Sequence, residues 1–201
     1  MAIFFTADLH LHHVNIMKYC NRPFKSVEEM DATLIGNWNR TVTKSDTVYF
    51  LGDMLWVRKG EYNNQIKQEL YALRKALNGS IIWVPGNHDK KICKELARAA
   101  NSFGFQVAPA LHTTTIDGTG VTLCHFALRT WNGSHYGSYH FYGHSHGTLP
   151  EIETSRSCDV GVDVKEWNFT PVRWDALVAK MKTRAFKPVE ARSAEEKVGC
   201  N

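Results

Sequence analysis

Short groups of aspartate, asparagine and histidine residues recur along the chain, and their spacing suits the binding of metal ions. In chain order, the groups are Asp8-Leu9-His10, Gly52-Asp53, Gly86-Asn87-His88-Asp89, His125 and Gly143-His144-Ser145-His146. Side chains two residues apart on extended backbone point the same way, so an Asp-x-His or His-x-His pair could share one ion. A single Asp-x-His motif is commonly a turn-capping aspartate beside a surface histidine. The recurrence of such groups favours a metal site instead.

Most of these groups follow a segment that is predicted to be a β-strand. The predicted strands cover residues 2–7, 47–51, 80–84, 121–124, 139–142 and 158–162, and the predicted helices cover residues 26–40, 61–77, 90–100 and 174–182. The first of these helices starts at a capping box formed by Ser26 and Glu29. Alternating strands and helices predict an α/β fold, in which ligands bind beyond the carboxyl ends of the strands. We therefore expect the polar groups to converge.

The composition is typical of one globular domain. The chain has 201 residues, of which 43% are hydrophobic and 22% charged. We expect a single domain over residues 1–183 and a charged, flexible tail over residues 184–201. The formal charge of +4 is too small and too scattered to indicate nucleic-acid binding. The sequence shows no apolar run of about 18 residues and no basic leader, which predicts a cytoplasmic protein without a membrane span.

Taken in order, the polar groups resemble the metal-binding blocks of the calcineurin-like metallophosphoesterase superfamily. The resemblance covers residues 8–146, and the segments His13-Val14-Asn15-Ile16 and Asn21-Arg22-Pro23-Phe24 are similar to a small, single-domain bacterial and phage-type branch. The resemblance implies a four-layer αββα sandwich. It also implies a centre of two metal ions between the carboxyl edges of two sheets.

Two sets of metal ligands that share one aspartate are implied by the resemblance. One metal would take Asp8, His10, Asp53 and His146, and the other would take Asp53, Asn87, His125 and His144. Imidazole and oxygen ligands without thiolate suit two divalent transition-metal ions, with manganese favoured and iron, zinc, nickel or cobalt as alternatives. Two such ions would keep the site positive, attract a phosphate ester and lower the pKa of bound water.

The resemblance further implies in-line hydrolysis by a metal-bound hydroxide, without a covalent phosphoenzyme. His88 is the predicted general acid, because the corresponding family histidine points at the substrate and assists the leaving oxygen. Its neighbour Asp89 either orients His88 or caps the helix that follows, and we favour capping.

Three further residues are predicted to contact the substrate. Arg129 is a candidate phosphate clamp, because a guanidinium matches phosphate oxygens bidentately, and the alternative is a surface arginine. Trp131 either stacks on a base or aryl group or packs its own loop onto the domain. His13 is included because it lies in the segment that resembles the small branch of the superfamily.

The predicted substrates are small phosphodiesters, including cyclic nucleotides, or phosphomonoesters. After Asp53 the chain reads Met54-Leu55-Trp56-Val57-Arg58, which departs from the Asp-x-x-Asp-Arg-Gly pattern of the Ser/Thr protein phosphatases and argues against that activity. Two alternatives stay open. One is a nuclease acting on nucleic-acid ends, which would need more basic residues near the site than the pairs Arg58-Lys59 and Lys90-Lys91. The other is a metal-binding scaffold without catalytic activity. A scaffold would not need a proton donor, so the presence of His88 argues against it.

Overall fold

The structure is a computed structural model that describes residues 1–57, 64–98 and 103–186. Within these ranges the strands are β1 (Ile3–Thr6), β2 (Thr47–Phe50), β3 (Ser80–Trp83), β4 (Phe105–Val107), β5 (Leu111–Ile116), β6 (Thr119–Cys124), β7 (Tyr139–Tyr142), β8 (Ser157–Asp159) and β9 (Val172–Arg173). The helices are α1 (Val14–Tyr19), α2 (Val27–Thr41), α3 (Asn64–Ala76), α4 (Lys90–Arg98) and α5 (Trp174–Lys182), with a 3-10 turn at Ser134–Tyr136.

The strands form two sheets, and each sheet has parallel strands and one antiparallel strand at its edge. The larger sheet has the order β4-β3-β2-β1-β9, in which β1 to β4 run parallel and β9 is antiparallel to β1. The smaller sheet has the order β5-β6-β7-β8, in which β6, β7 and β8 run parallel and β5 is antiparallel to β6. A tight turn at Asp117 and Gly118 joins β5 to β6, as the sequence predicts, and both residues have a positive φ.

The side chains of the larger sheet are buried on both faces. Phe4 of β1 packs with α2 residues such as Leu34 and Trp38, whereas its neighbour Phe5 packs between the two sheets with Phe141 of β7. Alternation along the strand places these neighbours on opposite faces. A strand covered on both sides is a nearly continuous apolar run, which is the pattern seen in the sequence. The predicted α/β fold, with two sheets flanked by helices, is confirmed.

The start of α2 is also as predicted. Ser26 is the N-cap, and its hydroxyl accepts a hydrogen bond of 3.2 Å from the backbone N–H of Glu29. The Glu29 carboxylate in turn accepts from the backbone N–H of Lys25 at 2.7 Å. These bonds satisfy N–H groups that a helix cannot pair internally.

Other elements differ from the prediction at their ends. The short elements α1, β4 and β9 are absent from the prediction, and β8 ends at Asp159, three residues before the predicted limit of 162. Elements of two to six residues carry too little periodicity to be recognised. Residues 61–63 and 99–100 of two predicted helices, and 187–201 of the predicted tail, lie outside the described residues. None of the helices within the described ranges combines the length and apolarity that crossing a membrane would need.

Candidate metal centre

The two sheets meet at the turns that follow β1 and β8. Ala7 forms an isolated parallel bridge with Gly161, and its carbonyl oxygen accepts a hydrogen bond of 3.1 Å from the backbone N–H of Val162. The turn after β7 is joined to the residue after β6 by a hydrogen bond of 3.0 Å from Gly143 to His125. The carboxyl ends of β1, β6, β7 and β8 therefore meet at one edge.

The predicted ligands at this edge have an unusual backbone conformation. Asp8, His10, Asp53, His144 and His146 have φ angles of 60°, 48°, 61°, 65° and 48°. The left-handed region costs a residue with a side chain about 1 to 2 kcal/mol. Such residues cluster at functional sites, where the surrounding structure holds them in place.

Glycines allow the two sheets' turns to approach these carboxylates closely. A Cβ on Gly86 would lie 2.2 Å from Oδ1 of Asp53, and a Cβ on Gly143 or Gly161 would lie 2.6 Å from Oδ2 of Asp8. These distances are far below van der Waals contact. Any larger residue at these three positions would displace a predicted ligand.

The first predicted set of ligands is assembled. Ligand atoms of Asp8, His10 and His146 lie within 4.8 Å of one another, and Nε2 of His10 is 3.6 Å from Oδ2 of Asp53. All of these residues except His146 are buried, and His146 is half-buried. The structure thus brings together four residues from three separate turns.

The second predicted set adjoins the first through Asp53. Ligand atoms of Asp8, Asp53 and His125 lie within 4.8 Å of one another, and Nε2 of His125 is 3.3 Å from Oδ2 of Asp53. Oδ1 of Asn87 is 2.9 Å from the same imidazole nitrogen. The ring of His144 is exposed to solvent, and its centroid lies 5.1 Å from that of His125.

Several buried polar atoms here have no hydrogen-bond partner within the described residues. They are Oδ1 of Asp8 and both ring nitrogens of His10. The exposed fraction is 0% for Asp8 and 2% for His10. A buried polar atom without a partner is costly, and a bound cation would satisfy Oδ1 of Asp8 and one ring nitrogen of His10. The residues present therefore fit divalent cations.

Without a bound cation, the cluster shifts the pKa values of two predicted ligands. Burial raises the pKa of Asp8 to about 8. Burial alone would lower the pKa of His125, but the neighbouring carboxylates of Asp53 and Asp8 raise it to about 9. Both shifts oppose the ligand forms, which are the carboxylate and the neutral imidazole. A bound cation favours those forms and would reverse both shifts.

His146 is oriented by a hydrogen bond to Asp163 that the sequence analysis missed. Its Nδ1 lies 2.6 Å from Oδ2 of Asp163, so that this nitrogen donates to the carboxylate and Nε2 is left as the acceptor. Asp163 is held by the buried guanidinium of Arg22 through contacts of 2.7 and 2.8 Å. Arg22 also donates to the backbone carbonyls of Asp8 at 2.7 Å and Leu9 at 2.9 Å.

The ion pair between Arg22 and Asp163 could have been predicted only in part from the sequence. Arg22 lies in a segment noted for family similarity, but Asp163 is 141 residues away and carries no motif. Cys20 was also missed, although its Sγ lies within 4.8 Å of ligand atoms of His146 and Asp163. It lacks the spaced partner that marks a cysteine as a metal ligand.

Asp89 is buried and neither of its predicted roles describes its carboxylate. The carboxylate accepts hydrogen bonds from the backbone N–H of Asp53 at 2.6 Å, of Gly86 at 2.9 Å and of Met54 at 3.2 Å, and from the indole of Trp83 at 3.0 Å. Asp89 therefore ties the turn after β3 to the turn after β2. Its backbone carbonyl starts α4 by accepting from Cys93 at 2.8 Å.

His88 lies at the edge of the cluster. Its backbone N–H donates to Oδ1 of Asp53 at 2.9 Å, and its side chain, which is 36% exposed, places Nε2 3.9 Å from Oδ2 of the same residue. The ring centroids of Trp56 and His10 lie 5.0 and 5.3 Å from that of His88. The imidazole is thus held beside the predicted ligands while it stays open to solvent.

A cavity of about 700 Å³ opens beside these histidines. The residues that line it include His10, His88, His144 and His146 and, on its other walls, His13, Ile16, Tyr19, Trp56 and Leu149. Arg129 and Trp131, which the structure describes, are not among the lining residues. Of the three predicted substrate contacts, only His13 is placed at this cavity.

Arg129 and Trp131 lie in the loop that follows β6. Arg129 is exposed. The indole of Trp131 donates to the backbone carbonyl of Ser138 at 3.1 Å and to its hydroxyl at 3.0 Å, and its ring centroid is 5.2 Å from that of His140. These contacts favour the alternative in which Trp131 packs its loop onto the sheet.

Comparison with known proteins agrees with this geometry. The profile of the calcineurin-like phosphoesterase family matches residues 1–151. An uncharacterized protein of Methanocaldococcus jannaschii is 35% identical over 183 residues, which is 88% of this chain and 89% of that protein. The gene 66 protein of Mycobacterium phage L5 is 48% identical over 50 residues, about a quarter of each chain.

A solved structure shares the fold. A protein of unknown function from Aquifex aeolicus superimposes with a TM-score of 0.61 at 19% identity, covering 89% of this chain and 98% of that chain. The family match spans three quarters of the sequence and includes every predicted metal ligand. The chain therefore belongs to the calcineurin-like phosphoesterase family.

Proposed function

We propose that this protein hydrolyses small phosphodiesters, or phosphomonoesters, at a centre of two divalent metal ions, with manganese favoured. One metal is assigned to Asp8, His10, Asp53 and His146, and the other to Asp53, Asn87, His125 and His144. The observation that carries the proposal is that Oδ1 of Asp8 and the ring nitrogens of His10 are buried without a hydrogen-bond partner, so that a cation could bind the carboxylate and one of these nitrogens.

The chemistry needs positive charge and an activated water, which bound divalent cations supply. The carboxylate of Asp53 lies between His10 and His125, at 3.6 and 3.3 Å, where it can serve both sets of ligands. His146 is oriented by Asp163, which binds Nδ1 and leaves Nε2 as the nitrogen that a cation could take. These residues would hold the phosphate end of the substrate close to His88.

His88 is assigned the role of proton donor to the leaving oxygen. Its imidazole lines the cavity, is 36% exposed and is fixed at its backbone by Asp53. A general acid must reach a substrate that enters from solvent, and this position allows it. The exposed ring of His144 and the side chain of Asn87 both lie beside His125, where they could contact both cation and phosphate.

The test is to strip metal with a chelator, restore Mn, Zn, Ni or Mg singly, and compare bis-p-nitrophenyl phosphate with p-nitrophenyl phosphate. We expect activity to vanish on stripping and to return best with Mn, with the diester turned over faster. Asp53→Asn should lose both metal uptake and activity, whereas Asp175→Asn, on the exposed start of α5, should lose neither.

Four results would contradict the proposal or part of it. Unchanged activity in chelator would exclude a metal-dependent reaction, and turnover of neither ester would favour a scaffold. Faster cleavage of the monoester would overturn the preference for diesters. Cleavage of short oligonucleotides at low protein concentration would favour the nuclease instead.

A further inference from the structure

The cavity beside the histidines has a second, aromatic side that metal binding does not use. The side chains of Tyr19, His13 and Trp56, with Ile16 and Leu149, line it beside the predicted ligands. We call these five residues the aromatic wall. His88 lies between the two sides, because its ring contacts both Trp56 and His10, at 5.0 and 5.3 Å. A group bound at the wall would therefore lie next to the proposed proton donor.

Two residues of the wall are unusually exposed for their types. Tyr19 is 68% exposed and Leu149 is 45% exposed, although both are large and hydrophobic. Single exposed apolar side chains are common, but here two of them border the same concave site. A cavity of about 700 Å³ with apolar walls and a few convergent polar groups is typical of small-molecule sites.

The wall is also held in place before any ligand arrives. The rings of Trp56 and His13 stack with centroids 4.0 Å apart and an angle of 7° between their planes, and Tyr19 meets His13 at 6.1 Å and 73°. The backbone N–H of Trp56 donates to the carbonyl of Leu11 at 2.9 Å. Binding therefore needs little ordering of these side chains, which favours affinity.

We propose that the aromatic wall binds the organic group that is esterified to the phosphate of the substrate. The enzyme consequently prefers phosphate esters that carry a flat ring over those that carry a small alkyl group. This inference rests on the proposed function, since it places the phosphate at the predicted metal ligands. A flat ring gains apolar contact and aromatic packing at the wall, whereas a methyl group leaves it exposed to water.

Binding of phosphonates tests the inference without turnover, because their carbon–phosphorus bond is not hydrolysed by a phosphoesterase. Phenylphosphonate and methylphosphonate share one head group and differ in the ring. With manganese-loaded protein, calorimetry is expected to give a Kd about tenfold lower for phenylphosphonate. A phosphonate analogue of adenosine monophosphate distinguishes a nucleobase from a simple aryl group as the preferred ring.

Two variants locate the effect. Tyr19→Ala removes an exposed ring, and Trp56→Leu keeps apolar bulk while it removes the indole. Each should bring the two Kd values to within about threefold, by weakening phenylphosphonate and leaving methylphosphonate unchanged. The matched control is Tyr71→Ala, which removes a 45% exposed ring from α3, at a cleft that contains none of the predicted ligands. It should keep the tenfold ratio.

The outcomes separate this inference from the function on which it rests. If methylphosphonate binds but phenylphosphonate binds no tighter, the aromatic wall does not bind the organic group of the substrate. The same conclusion follows if the preference for phenylphosphonate survives both variants. If neither phosphonate binds to protein that has taken up metal, the proposed function fails and the inference fails with it.

Discussion

Individual side chains at this centre are held by neighbours that set which atom is free to bind. Nδ1 of His125 lies 2.7 Å from the carbonyl of Leu51, and Nδ1 of His146 lies 2.6 Å from Asp163, so in both residues Nε2 is the available nitrogen. A histidine whose second nitrogen donates to an oxygen is fixed in tautomer and orientation. Substitution of a residue that hydrogen-bonds to a predicted ligand should therefore change metal binding, as substitution of the ligand itself should.

His88→Ala is expected to separate catalysis from metal binding. The variant should keep its metal content, because His88 is not among the assigned ligands, and should lose about 10²- to 10⁴-fold in kcat, which is the usual contribution of a positioned proton donor. Metal analysis and steady-state kinetics on the diester check this. As a control, His112→Ala on β5 should behave like the wild type. Full activity of His88→Ala would remove His88 from the role.

Asp163→Asn is expected to weaken metal binding without unfolding the protein. The amide keeps the shape of the carboxylate but loses the charge that orients His146 and pairs with Arg22. Loss of a carboxylate behind a histidine ligand typically lowers metal affinity about 10- to 100-fold. Titration of the stripped protein with Mn²⁺ measures the change, with Asp175→Asn as the exposed control. Equal affinity in both variants would show that the ion pair does not support the centre.

At the level of elements, the turns after β2 and β3 act as one unit. Asp89 begins α4 with its backbone carbonyl, and its buried carboxylate binds backbone N–H groups from both turns. Asp53 and Asn87, which belong to these turns, are thereby held at a constant separation. Gly86 makes the unit compact, since no side chain fits between it and Asp53.

Asp89→Asn is expected to destabilise this unit. The substituted amide would turn an N–H₂ group towards backbone N–H donors, which leaves buried donors without partners and should cost about 3 kcal/mol in the free energy of unfolding. Denaturant unfolding followed by tryptophan fluorescence gives the value. The exposed Asp175→Asn should stay within about 0.5 kcal/mol of the wild type. A loss below about 1 kcal/mol would mean that the carboxylate does not hold the turns together.

At the level of the whole molecule, the described chain continues to pack beyond the end of α5. The side chain of Arg184 donates to the backbone carbonyls of Ser155, at 2.9 Å, and Ser157, and it pairs with Glu151 at 2.7 Å. The guanidinium of Arg156 lies 4.7 Å from the ring centroid of Phe186. The sequence placed residues 184–186 in the tail, and these contacts attach them to the smaller sheet. The single domain over residues 1–183 stays a prediction.

Truncation measures how much this attachment contributes. A chain that ends at residue 183 should be about 1 to 3 kcal/mol less stable than one that ends at residue 186, because the carbonyls bound by Arg184 lose a charged donor. Arg184→Ala in the full chain is the matched variant and should lose a similar amount. Equal unfolding midpoints for all of these proteins would show that the contacts add no stability.

The sequence by itself determined the fold class, most of the strands and helices, and the types of donor at the strand ends, because these depend on local periodicity and on residue chemistry. The position of Asp8, Asp53, Asn87, His125 and His144 at the ends of predicted strands predicts that they converge. Only the tertiary structure decided which neighbours support them. Arg22 and Asp163 are 141 residues apart, and Tyr19 and Trp56 meet at one cavity only because parallel strands bring their turns to the same edge. Contacts of this kind leave no periodic trace in the sequence, since the pairing of distant turns is set by how the two sheets pack together.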